Sequence, residues 1–342
     1  MHTTSATASA VAPGVWSFPI PFPNPLRYSF VYSVEVDRGV ILVDLGWDSE
    51  QAWGALMTGL ARSGHSLDQV RGAVITHLHP DHFGLAKRLR QLTSAWIAVH
   101  ASEMGHVATD ELAREHFLER YRVWMQGCGC PRSELEALEV DAPEVRSRLA
   151  SVQPDVILED GAAVPETADA LTVIHSPGHT PGHICLTDSS RGLLFTGDHL
   201  LPRVTPNVSW RPDQSSDPLH DFVQSLDKMD AFADHLVLPG HEWAFDSPQR
   251  RTADLRRHHY LRLEEVEAAV HSGARTTWDV TRAVRWRRSF ETLEPRARRS
   301  ALGETGSHLI RLASLGRIRC RAGVPQVWLP PMDTKAGKKS EP

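Results

Sequence analysis

The 342-residue sequence predicts an α/β protein in which helices cover a layered sheet, with a smaller helical module after it. Two observations predict this class. Runs of β-branched and aromatic residues alternate with segments of helical periodicity over much of residues 13–250, a pattern typical of stacked helix and sheet layers. The charge then changes sign: residues 1–246 carry 17 Lys and Arg against 32 Asp and Glu, whereas residues 247–342 carry 20 against 10. Such asymmetry indicates two modules.

The first module begins with strands. Residues 1–12 are rich in Thr, Ser and Ala, and we expect a disordered lead-in. Strands are predicted at residues 15–20, 28–36, 40–44 and 73–75. Residues 48–62 have helical periodicity, so a helix is expected between the third and fourth of these strands.

Residues 101–152 interrupt this alternation. They are rich in Glu, Leu, Ala and Arg, and predict two or three helices inserted between strands. Strands are expected to resume at residues 156–158, 171–174, 184–187, 193–196 and 236–238. A helix at residues 217–231 separates the last two strands.

The C-terminal module, residues 251–330, shows the order helix, helix, helix, hairpin. Helices are predicted at residues 248–271, 277–284 and 299–315, with an Arg-rich linker before the last, and a hairpin at 318–329. This order is typical of a winged helix. Residues 331–342 are rich in Lys, Gly and Pro and predict a disordered tail.

The four cysteines form no regular framework, and Cys128-Gly129-Cys130 lacks the Cys-x-x-Cys spacing of redox and metal sites. We therefore expect reduced thiols in a cytoplasmic protein. The N-terminus has neither a positive region nor an apolar stretch, so no secretory signal is expected. The apolar runs are too short to cross a bilayer, so no membrane interaction is expected.

The chemical signal is the run His77-Leu78-His79-Pro80-Asp81-His82, placed directly after a predicted strand. Imidazole and carboxylate are ligands that zinc and similar ions prefer. Burying so many polar groups without partners would cost several kcal/mol, roughly, so a structural role alone explains the run poorly. The sequence therefore predicts a metal site at this strand end.

Three further segments place a ligand-type residue just after a strand. These are the segments of residues 175–183, with His175, His179 and His183; 195–199, with Asp198 and His199; and 238–242, with His241. Together with the first run, in this order, they resemble the metallo-β-lactamase superfamily over roughly residues 14–245.

The resemblance implies an αβ/βα metallo-β-lactamase sandwich, with the helical insert and the winged helix as additions. It also implies two divalent metal ions, zinc by default, with iron or manganese as alternatives at the second site. The implied ligands are His77, His79 and His179 for the first ion, Asp81, His82 and His241 for the second, and Asp198 as a bridge. Asp44 matches the position of a group that steadies the metal loop through hydrogen bonds. We expect structural roles for His175, His183 and His199, with proton donation by His199 as an alternative.

The implied mechanism is hydrolysis by a metal-bridging hydroxide, which Asp81 orients. A thiolate leaves readily because its parent acid has a pKa of about 8.5, and no general acid other than a protonated Asp81 or His199 is evident. This favours a small-molecule thioester, with another ester or a lactone next. Two alternatives stay open: an endoribonuclease or phosphodiesterase that uses the basic C-terminal region, and a non-catalytic binding protein.

Residues of about 255–330 resemble the winged-helix domain appended to some metallo-β-lactamase hydrolases. The Arg-rich linker could hold phosphates, so nucleic acid is an alternative partner. We instead expect the module to cover the active site, with Trp278, Trp286 and Trp328 buried rather than stacked on bases. A homo-oligomer is also compatible with the sequence.

Overall fold

The computed structural model of the protein describes residues 7–106, 111–148, 152–212, 214 and 216–332. The chain forms two compact units. The first combines Met1–Phe117, Pro143–Pro206 and Asp221–Leu255, and the second combines Leu118–Ala142, Asn207–His220 and Arg256–Pro342. Within the described ranges, no helix has the length and apolar character needed to span a bilayer.

The first unit contains two sheets. In the larger, seven strands follow one another in chain order, and their bounds are β1 Ser9–Ala12, β2 Val15–Pro21, β3 Tyr28–Val36, β4 Gly39–Val43, β5 Val70–Val74, β6 Trp96–His100 and β7 Val156–Leu158. Strands β1 to β4 pair antiparallel and β4 to β7 pair parallel. The expected disordered lead-in is therefore wrong for residues 9–12, because β1 pairs with β2. Residues 1–6 lie outside the described residues.

The smaller sheet supplies three of the four chain segments on which the site depends. Its strands are β8 Thr172–His175, β9 Ile184–Asp188, β10 Leu193–Gly197 and β11 Leu236–Pro239, in the order β11-β10-β9-β8. Strand β11 pairs parallel with β10, so Asp198 and His241 follow neighbouring strands at the same sheet edge. Apolar residues of both sheets, including Val43, Phe195 and Leu238, form one buried cluster, so the sheets pack face to face.

Helices of the first unit cover the outer face of the larger sheet. Helix α1 (Glu50–Arg62) begins where the Ser49 hydroxyl accepts a hydrogen bond from Ala52 N–H, a standard N-cap. The run at His77 to His82 is followed by two short helices, α2 (Pro80–Phe83) and α3 (Ala86–Leu92). Pro80 stands at the first turn of α2, where a missing N–H has no cost. Leu56 and Leu89 join the core of this layer.

The remaining helices are α4 Glu111–Gly127, α5 Arg132–Arg148, α6 Pro218–Met229, α7 Pro248–His271, α8 Thr277–Ala283 and α9 Pro295–Ser314, and a hairpin follows with β12 Arg319–Arg321 and β13 Val327–Leu329. Most of α6 belongs to the first unit; α8, α9 and the hairpin belong wholly to the second; and α4, α5 and α7 are divided between the two. Trp328 is buried in a cluster with Val266 and Leu309, and Trp286 packs against it. Trp278 packs in a second cluster with Cys128. The tryptophans therefore serve the core, as expected.

The last helix begins earlier than predicted. Helix α9 starts at Pro295 rather than near Arg299, because proline is favoured in a first helical turn. The supposed Arg-rich linker is therefore partly helix. Arg298 lies 2.7 Å from the buried carboxylate of Glu134, and Arg299 is itself buried. Arg287 and Arg288 are exposed.

Candidate metal centre

All seven predicted ligands lie in the first unit, just beyond the ends of β5, β8, β10 and β11. They form two groups in which the ligand atoms lie within 4.8 Å of one another: His77, His79, His179 and Asp198 in one, Asp81, His82 and His241 in the other. The family resemblance implied the same three histidines for one ion and the same Asp81, His82 and His241 for the other, with Asp198 as a bridge rather than as a member of the first group.

The first group brings three ring nitrogens to one point. His79 Nδ1 lies 2.9 Å from His77 Nε2 and 3.0 Å from His179 Nε2. The rings meet edge to face, with His79 and His179 at 88°. Three imidazole nitrogens this close together, with a carboxylate oxygen of Asp198 within 4.8 Å, are a ligand set that suits a divalent cation.

The second group has mixed donors. His241 Nε2 lies 3.3 Å from Asp81 Oδ2, and the rings of His82 and His241 are nearly perpendicular, at 89°. Asp81 and His82 belong to the first turn of α2, so one short helix supplies two of the three ligands. A carboxylate beside two imidazoles is a ligand set that accepts zinc, iron or manganese.

Asp198 stands between the groups. Its Oδ2 lies 3.6 Å from His179 Nε2, and its Oδ1 lies 3.4 Å from both His82 Nε2 and His241 Nε2. Oδ1 and His82 Nε2 are buried, and neither has a hydrogen-bond partner in the described part of the chain. A bound cation would satisfy both atoms, which would otherwise carry a desolvation penalty. The side chains therefore fit the divalent metal that the fold and the His/Asp cluster indicate.

Hydrogen bonds on the far side of each ring aim the ligands. Asp44 Oδ2 accepts from His82 Nδ1 at 2.7 Å, and the Tyr28 carbonyl accepts from His241 Nδ1 at 2.9 Å. Both rings consequently present Nε2 to the centre. Thr76 Oγ1 donates to Asp44 and lies 3.1 Å from His77 Nδ1, so the same network also orients the first group.

Charge pairing shifts the titration of the second group. Burial acts to lower the pKa of His241, yet the charge of Asp198 and the close carboxylates of Asp198 and Asp81 raise it to about 10. Burial acts to raise the pKa of Asp81, yet its hydrogen bond with His241 and the charge of His82 lower it to about 2. A cation held by His241 would therefore take the place of a proton on its ring.

The neighbouring histidines have structural contacts. Asp198 N–H donates to His183 Nε2 at 3.1 Å, and His183 Nδ1 lies 2.9 Å from Ser176 Oγ, so His183 supports the backbone of Asp198. His175 Nε2 donates to the Pro181 carbonyl. His199 is fully buried with its ring against Phe222. Burial lowers the pKa of His199 to about 3, so its ring is neutral at pH 7.

Glycines keep the centre open. A Cβ on Gly240 would lie 2.7 Å from Asp198 Oδ1 and 2.7 Å from His82 Cε1. A Cβ on Gly197, at φ +45°, would lie 2.8 Å from His183 Nε2. Side chains at either position would displace ligands or their support.

Sequence patterns did not identify several residues of this network. Thr76 was detectable as the residue between a strand and the histidine run, but nothing marks a lone threonine as a hydrogen-bond relay. Tyr28 orients His241 through its backbone carbonyl, and patterns of side chains in a sequence do not identify such a group. Both were missed for these reasons.

Comparison with known proteins agrees with this geometry. A family model described as the metallo-beta-lactamase superfamily matches residues 24–241. Human acyl-coenzyme A thioesterase MBLAC2 is 32% identical over 176 residues, which cover 49% of this chain and 55% of that protein. The chain thus matches about half the length of that curated relative.

Two solved structures are similar over nearly the whole chain. A metallo-beta-lactamase family protein from Thermus thermophilus is 29% identical with a TM-score of 0.78, over 94% of this chain and all of that one. A beta-lactamase domain protein from Burkholderia ambifaria is 26% identical with a TM-score of 0.80, over 96% of each chain.

Proposed function

The chain belongs to the metallo-β-lactamase superfamily, and from this premise we propose that it is a binuclear metal-dependent hydrolase of small-molecule thioesters. The observation that carries the proposal is the position of Asp198. One carboxylate oxygen faces His179 of the first group, and the other faces His82 and His241 of the second. A carboxylate placed in this way can bridge two ions.

The ions would be held by the seven side chains in the two groups already described. Zinc suits this set of imidazoles and carboxylates, and iron or manganese are alternatives at the Asp81 group. When bound, such ions supply Lewis acidity and lower the pKa of water to about 7, which makes a nucleophile available at neutral pH.

The chain itself contributes orientation and a fixed charge. The low pKa of Asp81 keeps its carboxylate ionised at neutral pH, so it can accept a hydrogen bond from the attacking water and direct the water at the acyl carbon. His82 and His241 are locked by Asp44 and the Tyr28 carbonyl, so the rings need not reorganise during the reaction.

The leaving group distinguishes the candidate substrates. A thiolate departs without a proton donor, whereas an alkoxide needs one far more. His199 is buried, and its low pKa leaves it neutral, so it is a poor acid at neutral pH. The name of the human relative supports the same choice, although only weakly at 32% identity over half of its length. An ester or lactone is the next candidate.

Two other classes have less support. The acidic residues in 1–246 outnumber the basic ones by 15, and such a surface disfavours a polyanionic substrate such as RNA. A non-catalytic binding protein has no need for all seven ligands, yet all are present and grouped.

We also propose that residues 251–330 form a winged helix that does not bind nucleic acid. Support comes from the order of α7, α8, α9 and the β12–β13 hairpin. Two arginines of the expected phosphate-binding segment instead serve the unit itself, since Arg298 pairs with Glu134 and Arg299 is buried.

A hydrolysis panel tests the function. Acyl-CoA, acyl-glutathione, lactone, phosphodiester and RNA substrates would be incubated with the wild type and with Asp81→Ala. We expect thioester turnover in the wild type and a loss of at least 100-fold in the variant, within the range seen when catalytic positioning groups are removed. Turnover of RNA or phosphodiester alone, abolished in the same variant, would replace the thioester proposal with the nuclease alternative.

A further inference from the structure

We propose that Glu103 is a positioning residue that fixes the distance between the two loops carrying the first ligand group. Its side chain is 1% exposed and is anchored at both oxygens. Leu78 N–H donates to Oε2 at 2.9 Å, and Gly182 N–H donates to Oε1 at 2.8 Å. One carboxylate thereby joins two segments that are about a hundred residues apart in sequence.

The two N–H donors lie close in sequence to the histidines of the first group. Leu78 lies between the ligands His77 and His79, and Gly182 lies three residues after the ligand His179. Glu103 thus ties together the loops that supply all three imidazoles of the first group. Neither hydrogen bond involves the segment that carries His241.

Close packing holds the same two segments together. A Cβ on Gly182 would lie 2.6 Å from Glu103 N and 2.9 Å from the Ser102 carbonyl carbon, both backbone atoms. Backbone cannot move aside as a flexible side chain can, so only glycine permits this approach. The 3₁₀ helix Ala101–His106, which carries Glu103, therefore sets the position of the residue 179–183 loop by contact as well as by hydrogen bonding.

Replacing Glu103 by glutamine would remove one of these two hydrogen bonds. Hydrogen bonds from backbone N–H groups to an ionised carboxylate are shorter and stronger than neutral ones. Glutamine at this position has one acceptor oxygen, and its amide N–H₂ would oppose the second N–H donor. One loop would lose its anchor while the buried volume stays the same. Groups that orient metal ligands in this way typically contribute 10- to 100-fold in metal affinity.

The inference rests on the proposed metal binding but not on the thioester substrate. The test is zinc affinity of metal-free protein, measured by chelator competition, for Glu103→Gln in two backgrounds. In His241→Ala the first group remains complete, and in His179→Ala the second does. We expect Glu103→Gln to weaken zinc binding at least tenfold in the His241→Ala background and less than threefold in the His179→Ala background.

Two further variants separate positioning from general damage. Gly182→Ala keeps the carboxylate but forces the loops apart, and we expect it to reproduce the selective loss. Asp188→Asn alters another buried carboxylate of the same unit, one that accepts from Arg191 N–H in a turn away from the ligands, and it should leave both affinities unchanged. Circular dichroism of each metal-free variant checks folding; if Glu103→Gln does not fold, Gly182→Ala carries the test.

Equal affinity of Glu103→Gln and its parent in both backgrounds overturns the inference. Equal losses in both backgrounds, matched by Asp188→Asn, also overturn it, since they would show a merely structural role. A wild-type chain that takes up no zinc, iron or manganese overturns the proposed function itself, and this outcome is distinguishable because it precedes any comparison of variants.

Discussion

Asp44 Oδ2 lies 2.7 Å from His82 Nδ1, and both side chains are almost fully buried. Asp44 adopts a left-handed backbone conformation, with φ 63°, which asparagine also tolerates. Asp44→Asn therefore removes the charge without straining the backbone. We expect zinc affinity to fall 10- to 100-fold, because the single acceptor oxygen of asparagine cannot serve both Thr76 N–H and His82 Nδ1–H, which bind different oxygens of Asp44. Chelator competition measures the change, with Asp188→Asn as the matched control; unchanged affinity would show that Asp44 is not required.

Metal removal is the direct test of the proposed binuclear centre. Chelator treatment is expected to abolish hydrolysis, and about two equivalents of zinc, iron or manganese to restore it, because each ligand group suits one ion. Asp198→Ala removes the shared carboxylate and is expected to lower the stoichiometry to one or less. Elemental analysis gives the count. Full activity in a metal-free preparation would refute the mechanism.

Substitution of Arg298 tests whether arginines of the C-terminal module stabilise the fold. Removing its side chain in Arg298→Ala leaves the buried carboxylate of Glu134 without its ion-pair partner. Losing one member of a buried pair costs about 3–5 kcal/mol, and partial exposure of Arg298 places the expected loss near the lower value. Urea denaturation measures it, and the exposed Arg287→Ala is the control, with an expected change below about 0.5 kcal/mol. Equal effects of the two variants would contradict the structural role.

A buried histidine predicts how the second unit responds to acid. Burial lowers the pKa of His308 to about 3, and its ring lies 3.2 Å from His259, whose pKa is also lowered by burial. The unfolded chain takes up protons near pH 6.5 while the folded chain does not, so stability is complete above pH 6.5 and is lost as pH falls towards 3. Between pH 7.5 and 5 we expect His308 alone to account for a loss of about 2 kcal/mol.

Urea denaturation at pH 7.5 and pH 5 measures this loss. His308→Gln is expected to reduce the difference between the two pH values, and His271→Gln, at an exposed position of the same unit, controls for the removal of any histidine. A wild-type protein equally stable at both pH values would show that His308 can be protonated without unfolding.

The ligand groups could be predicted because their chemistry is local in sequence. His77, His79, Asp81 and His82 stand within six residues after one strand, and glycine precedes His179, Asp198 and His241. Such patterns can be recognised in a sequence without knowledge of the fold. Asp44 could be placed by resemblance, and its contacts with Thr76 and His82 agree with the supporting role implied for it.

The features that could not be predicted from the sequence depend on contacts between residues that are far apart in the chain. Glu103 lies in a segment rich in glutamate, and its importance comes from two N–H groups brought to it by folding. Strand β1 was mistaken for a disordered lead-in because Ser9–Ala12 has little β-propensity of its own and gains its order from pairing with β2. The start of α9 was misplaced because the arginines around it suggested a solvated linker.

The parallel pairing of β10 with β11 has a consequence for how such a protein can diversify. Neighbouring strands in a sheet lie about 4.8 Å apart, so the separation of Asp198 and His241 is inherited from the main-chain ladder. The thirty-odd residues that connect these strands therefore do not determine the distance between Asp198 and His241. Sequence changes within the connection can therefore leave that distance unaltered, provided that they spare its contacts with the His179 loop, such as the hydrogen bond from the Ser225 hydroxyl to the Pro177 carbonyl.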